Sequence, residues 1–166
     1  MAVASALALG TSGLGMNSYA LTNITSPLTV TATVAANCTI NTTALVFGTY
    51  DAIGPNAANA LNGSGGEVIV TCTMGTIPTV TLDQGINPKS SSSAAFPERQ
   101  MSGPNGSRLA YALFSDAARS NAWGSAGVSY TSNGTPKTLQ VWGSVDSGQN
   151  VPAGVYSDTV VATVIF

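Results

Sequence analysis

The C-terminal end of the chain carries the pattern that decides the expected fold. Residues 155–166 read Val-Tyr-Ser-Asp-Thr-Val-Val-Ala-Thr-Val-Ile-Phe. Because successive side chains of a strand point to opposite faces, one face would carry Tyr156, Val160, Ala162, Val164 and Phe166. The run predicts a β-strand that continues to the last residue. An apolar strand of this kind needs a neighbour on each side, since a free edge leaves unpaired amides beside apolar side chains.

The same two-residue period recurs along the chain. Apolar residues alternate with Thr or other polar residues over residues 28–34, 67–73, 79–83, 108–114 and 137–143, which is typical of half-buried strands. Clusters of Gly, Pro, Asn and Ser predict turns at residues 63–66, 90–93, 103–106, 133–134 and 152–154. Only residues 116–119 suggest a helical turn. Several strands with frequent turns and no long helical period predict an all-β antiparallel sandwich.

The N-terminal segment has the features of an export signal. Residues 1–20 contain a short apolar run followed by small residues up to Ser18-Tyr19-Ala20, a pattern that suits signal peptidase. The apolar run is too short to span a bilayer. We expect these residues to be removed on export. The alternative is an ordered N-terminal extension, because no Lys or Arg follows Met1 where a signal normally has a basic residue.

The composition excludes several classes of function. The 166 residues fit one domain. Five Lys and Arg residues face seven Asp and Glu residues, for a net charge of -2, and the five cations are scattered singly, so we expect no nucleic-acid binding. Without histidine, the usual general base and most metal sites are missing. We therefore expect no enzyme, no metal and no cofactor.

The two cysteines, Cys38 and Cys72, are too far apart for a C-x-x-C redox or zinc motif. If the chain is exported, a disulfide is the natural state of this pair. The alternative is two buried free thiols in a cytosolic protein.

The other side chains that could take part in catalysis or ligand binding are weak candidates for a functional site. The seven carboxylates are all isolated in sequence, so we expect solvated turn or edge residues rather than a glycosidase pair. Residues 63–66 read Gly-Ser-Gly-Gly without the Lys-Ser/Thr of a phosphate loop, and we expect a turn. Trp123, Trp142 and Tyr130 suggest either a sugar-stacking platform or, as we favour, packing in the core or on a sheet face. Asp116 and Arg119 have the spacing of a local ion pair.

An ordered set of motifs resembles one known family, the spore coat protein U domain, which includes the major subunits of archaic chaperone-usher pili. The matching segments run from residue 38 to the C-terminus and include Leu-Val-Phe-Gly-Thr-Tyr-Asp at 45–51, Val-Ile-Val-Thr-Cys-Thr-Met-Gly-Thr at 68–76, Leu-Ala-Tyr-Ala-Leu-Phe-Ser-Asp at 109–116 and Ala-Gly-Val-Tyr-Ser-Asp-Thr-Val at 153–160. Each motif alone is weak, and their order makes the set specific.

The resemblance implies an incomplete immunoglobulin-like antiparallel sandwich that lacks its last strand and is completed by a donor strand from another subunit. It divides the chain into a donor strand and hinge at 21–37 and a pilin domain at 38–166. The donor face would consist of Ile24, Leu28, Val30, Ala32 and Val34, and the C-terminal face quoted above would belong to the acceptor groove. Pro27 cannot donate a ladder hydrogen bond, so the donor effectively begins at Leu28.

The resemblance also implies the partners and the location. A periplasmic chaperone and an outer-membrane usher would assemble the chain with copies of itself and with minor and tip subunits, in a fimbrium at the cell surface that serves attachment and biofilm formation. The alternatives are a pilus-tip adhesin, a carbohydrate-binding sandwich, or a spore or cyst coat protein of the same fold.

Overall fold

A computed structural model describes residues 21–166 of the chain. The expected export signal at residues 1–20 lies outside the described residues. The chain divides into two units, Met1–Thr33 and Val34–Phe166. Residues 21–33, the described part of the first unit, are exposed and form neither helix nor strand. Within residues 21–166 we find no helix with the length and apolar character needed to cross a membrane.

The second unit is an antiparallel β-sandwich. Its strands are β1 (Cys38–Thr43), β2 (Leu61–Cys72), β3 (Thr79–Leu82), β4 (Arg99–Ser102), β5 (Arg108–Phe114), β6 (Val128–Ser129), β7 (Lys137–Val145) and β8 (Ala162–Ile165). Two short 3₁₀ turns lie at Pro55–Ala57 and Pro104–Gly106. One sheet has the order β1-β2-β7-β5-β4 and the other the order β6-β3-β8. The predicted all-β antiparallel fold is confirmed.

The core lies between the two sheets because alternate residues of their strands point inward. Val68 and Val70 of β2, Val80 of β3 and Val145 of β7 are at most 2% exposed. Trp123, which lies between β5 and β6, is also 2% exposed, and its indole N–H donates to the Val80 carbonyl at 2.9 Å. This position agrees with core packing and removes Trp123 from any sugar-stacking platform.

Two predicted strands are wrong in extent. The C-terminal run is a strand only at Ala162–Ile165, because its earlier residues pair elsewhere: Ser157 bridges to Ser102, and Val161 contacts Asp83. Residues 28–34 form no strand at all, since no strand of the described chain pairs with them. Alternation predicts which side chains share a face, but a strand also needs a hydrogen-bonded neighbour.

The glycine-rich stretch at residues 63–66 is not a turn but a bulge inside β2. The register between β2 and β7 shifts between Gly63 and Gly66, as expected when extra residues enter one strand of a pair. Three short strands that alternation did not single out, β1, β4 and β6, complete the sheets. Residues 116–119 form a turn rather than a helix.

Candidate functional site

An open apolar groove runs along the sandwich, with a volume of about 1090 Å³. One wall consists of residues 42–53 and the other of residues 150–160 with Ala162. The floor consists of side chains from both sheets, namely Leu82, Met101, Leu109, Tyr111, Leu113, Val141 and Val145. The groove therefore reaches the core from one side, although all of these floor residues except Met101 are at most 7% exposed.

Both walls of the groove carry unpaired main chain. Within the described part of the chain, no hydrogen bond involves the main chain of residues 44–49 or of residues 158–160. Each wall also continues into a strand at the end of its sheet order, because β1 pairs with β2 and β8 with β3. Since buried or half-buried main-chain groups strongly require partners, the groove offers hydrogen-bonding positions along both sides.

The first wall rests on a platform of glycines. Leu45 and Phe47 are half-buried and pack against Gly63, Gly66 and Gly143. A Cβ atom at Gly143 would lie 2.5 Å from Leu45 Cδ2 and 2.6 Å from Phe47 Cζ, so this approach requires glycine. The Phe47 ring meets the Tyr111 ring edge to face, with centroids 6.0 Å apart. The wall is thereby anchored through its inward side chains while its main chain stays free.

A disulfide fixes the start of the same wall. Cys38 of β1 and Cys72 of β2 are bonded and occupy facing positions of the ladder, with Cα atoms 4.1 Å apart. The predicted disulfide is confirmed. Because β1 has only β2 as a paired neighbour among the described strands, this bond secures an edge strand that would otherwise depend on one row of hydrogen bonds.

Polar side chains, including two that line the groove, hold the second wall in place. The Asp158 carboxylate accepts hydrogen bonds from the Tyr111 hydroxyl at 2.7 Å, the Ile86 amide at 3.1 Å and the Asn87 side chain at 3.3 Å. The Asp83 carboxylate accepts from the Val161 amide at 2.9 Å. Burial raises the pKa of the Tyr111 hydroxyl, and the hydrogen bond to Asp158 raises it further.

A buried cation lies behind this wall. The Arg99 guanidinium is 1% exposed and donates to the carbonyls of Leu82, Asp83 and Trp123. It forms no salt bridge with a carboxylate of the described chain. Burial lowers the pKa of Arg99, while the nearby Asp83 and Asp158 charges oppose that shift. The guanidinium therefore ties the end of β3 to the segment around Trp123.

The expected acceptor residues divide between groove and core. Tyr156, Val160 and Ala162 line the groove. Val164 is half-buried against the core cluster, and Phe166 is exposed at 56%. Tyr156, Val160, Ala162 and Val164 are half-buried, and the role of this face in accepting a strand stays a prediction.

The expected donor residues lie outside every strand. Ile24, Leu28, Val30, Ala32 and Val34 are all exposed, and the four larger ones are 83–93% exposed. Such a row of apolar side chains without cover is unusual in a soluble protein. Their role as a donor strand stays a prediction.

The remaining candidates do not form a second site within residues 21–166. No group of acidic or cysteine side chains there is suited to hold a metal ion. The Arg119 amide donates to the Asp116 carbonyl at 3.0 Å, but the two side chains form no ion pair. Instead the Asp116 carboxylate accepts from Ser120 and Asn121, which lowers its pKa, and Arg119 stacks 5.7 Å from the Trp142 ring centroid. Tyr130 is half-buried and packs against the core, as favoured for this aromatic.

Sequence reasoning missed the first wall and the polar support of the second. Residues 45–51 entered only as a family motif, although Leu45 and Phe47 alternate with exposed Val46 and Gly48. Arg99 counted as one of five scattered cations, and Asp158 as an isolated carboxylate. Their association depends on tertiary structure, since Asp158 lies 47 residues from Tyr111 along the chain.

Comparisons with known proteins agree with this architecture. A chain in the crystal structure of the CsuC–CsuE chaperone–tip adhesion subunit pre-assembly complex, from archaic chaperone-usher Csu pili of Acinetobacter baumannii, matches with a TM-score of 0.54 and 25% sequence identity. The match covers 81% of this chain and 40% of that chain.

A second comparison, with a curated protein sequence, covers most of both chains. "Protein U" of Myxococcus xanthus is 40% identical over an alignment of 151 residues, and the alignment covers 86% of this chain and 84% of that protein. The family model of the Spore Coat Protein U domain matches residues 24–163. The chain therefore belongs to the Spore Coat Protein U domain family.

Proposed function

We propose that the chain is a structural subunit of a chaperone-usher pilus and polymerises by donor-strand complementation. The observation that carries the proposal is the groove, whose two walls both carry unpaired main chain. One more strand in the groove would satisfy both walls and cover the apolar floor. In this role residues 28–34 of a second copy are the occupant, because they present exposed apolar residues at every other position.

Apolar contacts would dominate the stability of such a joint. Burying five side chains of the donor face contributes about 7–15 kcal/mol before opposing terms. Each new main-chain hydrogen bond adds about 1 kcal/mol. Ordering the donor backbone costs about 1–2 kcal/mol per residue, which offsets most of the hydrogen bonding. The alternating apolar face therefore decides whether the joint is durable.

The same proposal implies the assembly partners. A periplasmic chaperone would cover the groove before polymerisation, and an outer-membrane usher would exchange it for the next subunit. The structural match to a chain from a chaperone–tip subunit complex supports this class of partner. The fibre would also contain minor and tip subunits, lie at the cell surface after export through the periplasm, and serve attachment and biofilm formation. No enzymatic step is part of the proposed role.

A charge in the donor face tests the proposal. Val30→Asp places a carboxylate on the face that enters the groove, whereas Thr31→Asp places the same charge on the opposite face. Purified Thr31→Asp and unmodified protein should form ladders that resist sodium dodecyl sulfate before boiling. Val30→Asp should remain monomeric when it is folded. Polymers of normal length from Val30→Asp would refute the donor assignment.

A coat role is the second candidate, because the matching family model is named for a spore coat protein and the fuller match is to Protein U. Both roles can use the same groove. Negative-stain microscopy of cells that express the chain with its neighbouring genes separates them, since a pilus subunit forms thin surface fibres and a coat protein forms a continuous layer.

A further inference from the structure

We propose that Asp158 is a positioning residue that holds the second wall of the groove open for the incoming strand. The inference rests on the proposed function and adds a role for a residue outside the apolar contact face. We call Asp158 and its three hydrogen-bond donors, Tyr111, Ile86 and Asn87, the Asp158 clamp.

The clamp joins three separate parts of the sandwich. Tyr111 belongs to β5, in the five-stranded sheet, and its ring forms part of the groove floor. Ile86 and Asn87 lie in the loop that follows β3, in the three-stranded sheet. Asp158 lies in the wall itself. One carboxylate therefore fixes the distance between the wall, the floor and the opposite sheet.

Two hydrogen-bonded pairs flank residues 158–160 of this wall, and before them the Tyr156 hydroxyl bonds to the Ser107 hydroxyl and the Pro152 carbonyl. Ser157 exchanges two main-chain hydrogen bonds with Ser102, at 2.8 and 3.0 Å. Val161 exchanges two with Asp83, donating to its carboxylate and accepting from its amide. Between these two pairs, the main chain of residues 158–160 has no partner within the described range. Asp158 thus supplies the support for the part of the wall that must receive a strand.

The unsupported wall would be expected to close. Val160 lines the groove and packs against the core cluster, and the floor beside it is apolar. Further inward movement of Val160, which is only half-buried, would bury more apolar surface and narrow the slot for a strand. The clamp opposes this movement because Asp158 is hydrogen-bonded to Tyr111 in the five-stranded sheet and to Ile86 and Asn87 in the loop after β3.

A carboxylate suits this position better than an amide. All three partners donate, and an ionised carboxylate accepts through both oxygens. An asparagine could keep its oxygen on the Ile86 amide and the Asn87 side chain, but its NH₂ group would then face the Tyr111 hydroxyl, which would lose the acceptor for its own proton. Gly85 leaves room for the carboxylate, because a Cβ atom there would overlap with Asp158 Oδ2.

The test uses an acceptor chain that cannot polymerise with itself. A full-length chain carrying Val30→Asp is mixed with a fluorescent peptide of residues 22–34, and binding is followed by fluorescence anisotropy. Adding Asp158→Asn should weaken peptide binding at least about tenfold, which corresponds to ~1.4 kcal/mol. Tyr111→Phe, which keeps the ring in the floor and removes one donor, should weaken binding in the same direction by less.

Two controls separate positioning from a general loss of stability. Asp146→Asn makes the same chemical change at an exposed carboxylate and should bind the peptide normally. Val70→Ala removes buried volume in β2 outside the groove lining. It should lower the free energy of unfolding without weakening the peptide complex. Equal peptide affinity in Asp158→Asn and its parent would overturn the inference.

Failure of the parent chain to bind the peptide would refute the proposed function. A second measurement tests the Asp158 clamp even in that case. Amide hydrogen exchange at Ser157 and Val161, whose N–H groups donate to the Ser102 carbonyl and the Asp83 carboxylate, reports on the wall without any occupant. Asp158→Asn should speed exchange at these two amides while leaving β2 unchanged. If exchange at Ser157 and Val161 is the same in both chains, Asp158 does not hold the wall.

Discussion

Removal of the Cys38–Cys72 disulfide should lower the stability of the sandwich by an amount that follows from the loop it closes. The two cysteines are 34 residues apart. In the chain-entropy model, a loop of that length stabilises the folded state by about 4 kcal/mol. The effect acts on the unfolded ensemble, so it should be present even if the folded structure does not change.

The perturbation is Cys38→Ala together with Cys72→Ala. Alanine is preferable to serine because Cys72 is 3% exposed and a buried hydroxyl would add its own penalty. With a denaturant slope of about 2 kcal/mol/M, typical of small proteins in urea, the midpoint should fall by about 2 M. Circular dichroism during urea unfolding measures the shift.

Reduction of the unmodified protein provides an independent value for the same quantity. The reduced protein and the double variant should unfold at similar urea concentrations, and a reductant should leave the double variant unchanged. A difference below about 1 kcal/mol between oxidised and reduced protein would refute loop closure as the main contribution. Such a small difference would imply that β1 remains ordered through its pairing with β2 alone.

Two further predictions concern the groove floor and its platform. Gly143→Ala should lower the free energy of unfolding by about 1–3 kcal/mol, because the new methyl group overlaps with Leu45 and Phe47; a urea midpoint equal to that of the unmodified protein would contradict this packing. Since the pKa of Tyr111 is raised above its usual 10.0, its contribution to stability is complete below that pH and falls as pH rises beyond it. The decline is up to about 1.4 kcal/mol per pH unit. Urea unfolding at alkaline pH should show a shallower decline for Tyr111→Phe, and equal declines would contradict the assignment.

The elements that sequence predicted best are those whose pattern and pairing coincide. β5 occupies Arg108–Phe114, as alternation predicted, and it has neighbours on both sides, β7 and β4. β7 begins at Lys137 as expected and extends two residues beyond Gly143. In these two strands the side chains alternate between the core and the outside, and the residues also pair with a neighbouring strand. The sequence pattern and the tertiary structure therefore give nearly the same strand bounds.

The candidate site was harder to predict because its parts are distant in sequence. The apolar residues of the second wall followed from the C-terminal pattern. The first wall did not, since residues 44–49 are neither paired nor fully buried. The buried Arg99 and the contacts of Asp158 join β3, β4, β5 and the C-terminal segment. Contacts between residues so far apart in sequence leave no local sequence pattern, although they decide where the second wall lies.

The two strand predictions that are wrong in extent share one physical cause. Residues 28–34 and the part of the C-terminal run before β8 both alternate as strands do, yet neither pairs as a regular strand with a neighbour in the described chain. The first presents exposed apolar side chains without a sheet, and the second borders an apolar groove without a covering strand. The proposed pairing between chains accounts for both segments, because the first supplies apolar side chains and the second borders a groove that could receive them. Mixing a donor variant with an acceptor variant therefore provides the decisive comparison. The Val30→Asp chain has an altered donor segment but an intact groove, so it should still accept a donor strand. The Asp158→Asn chain has an altered groove but an intact donor segment, so it should still provide that strand.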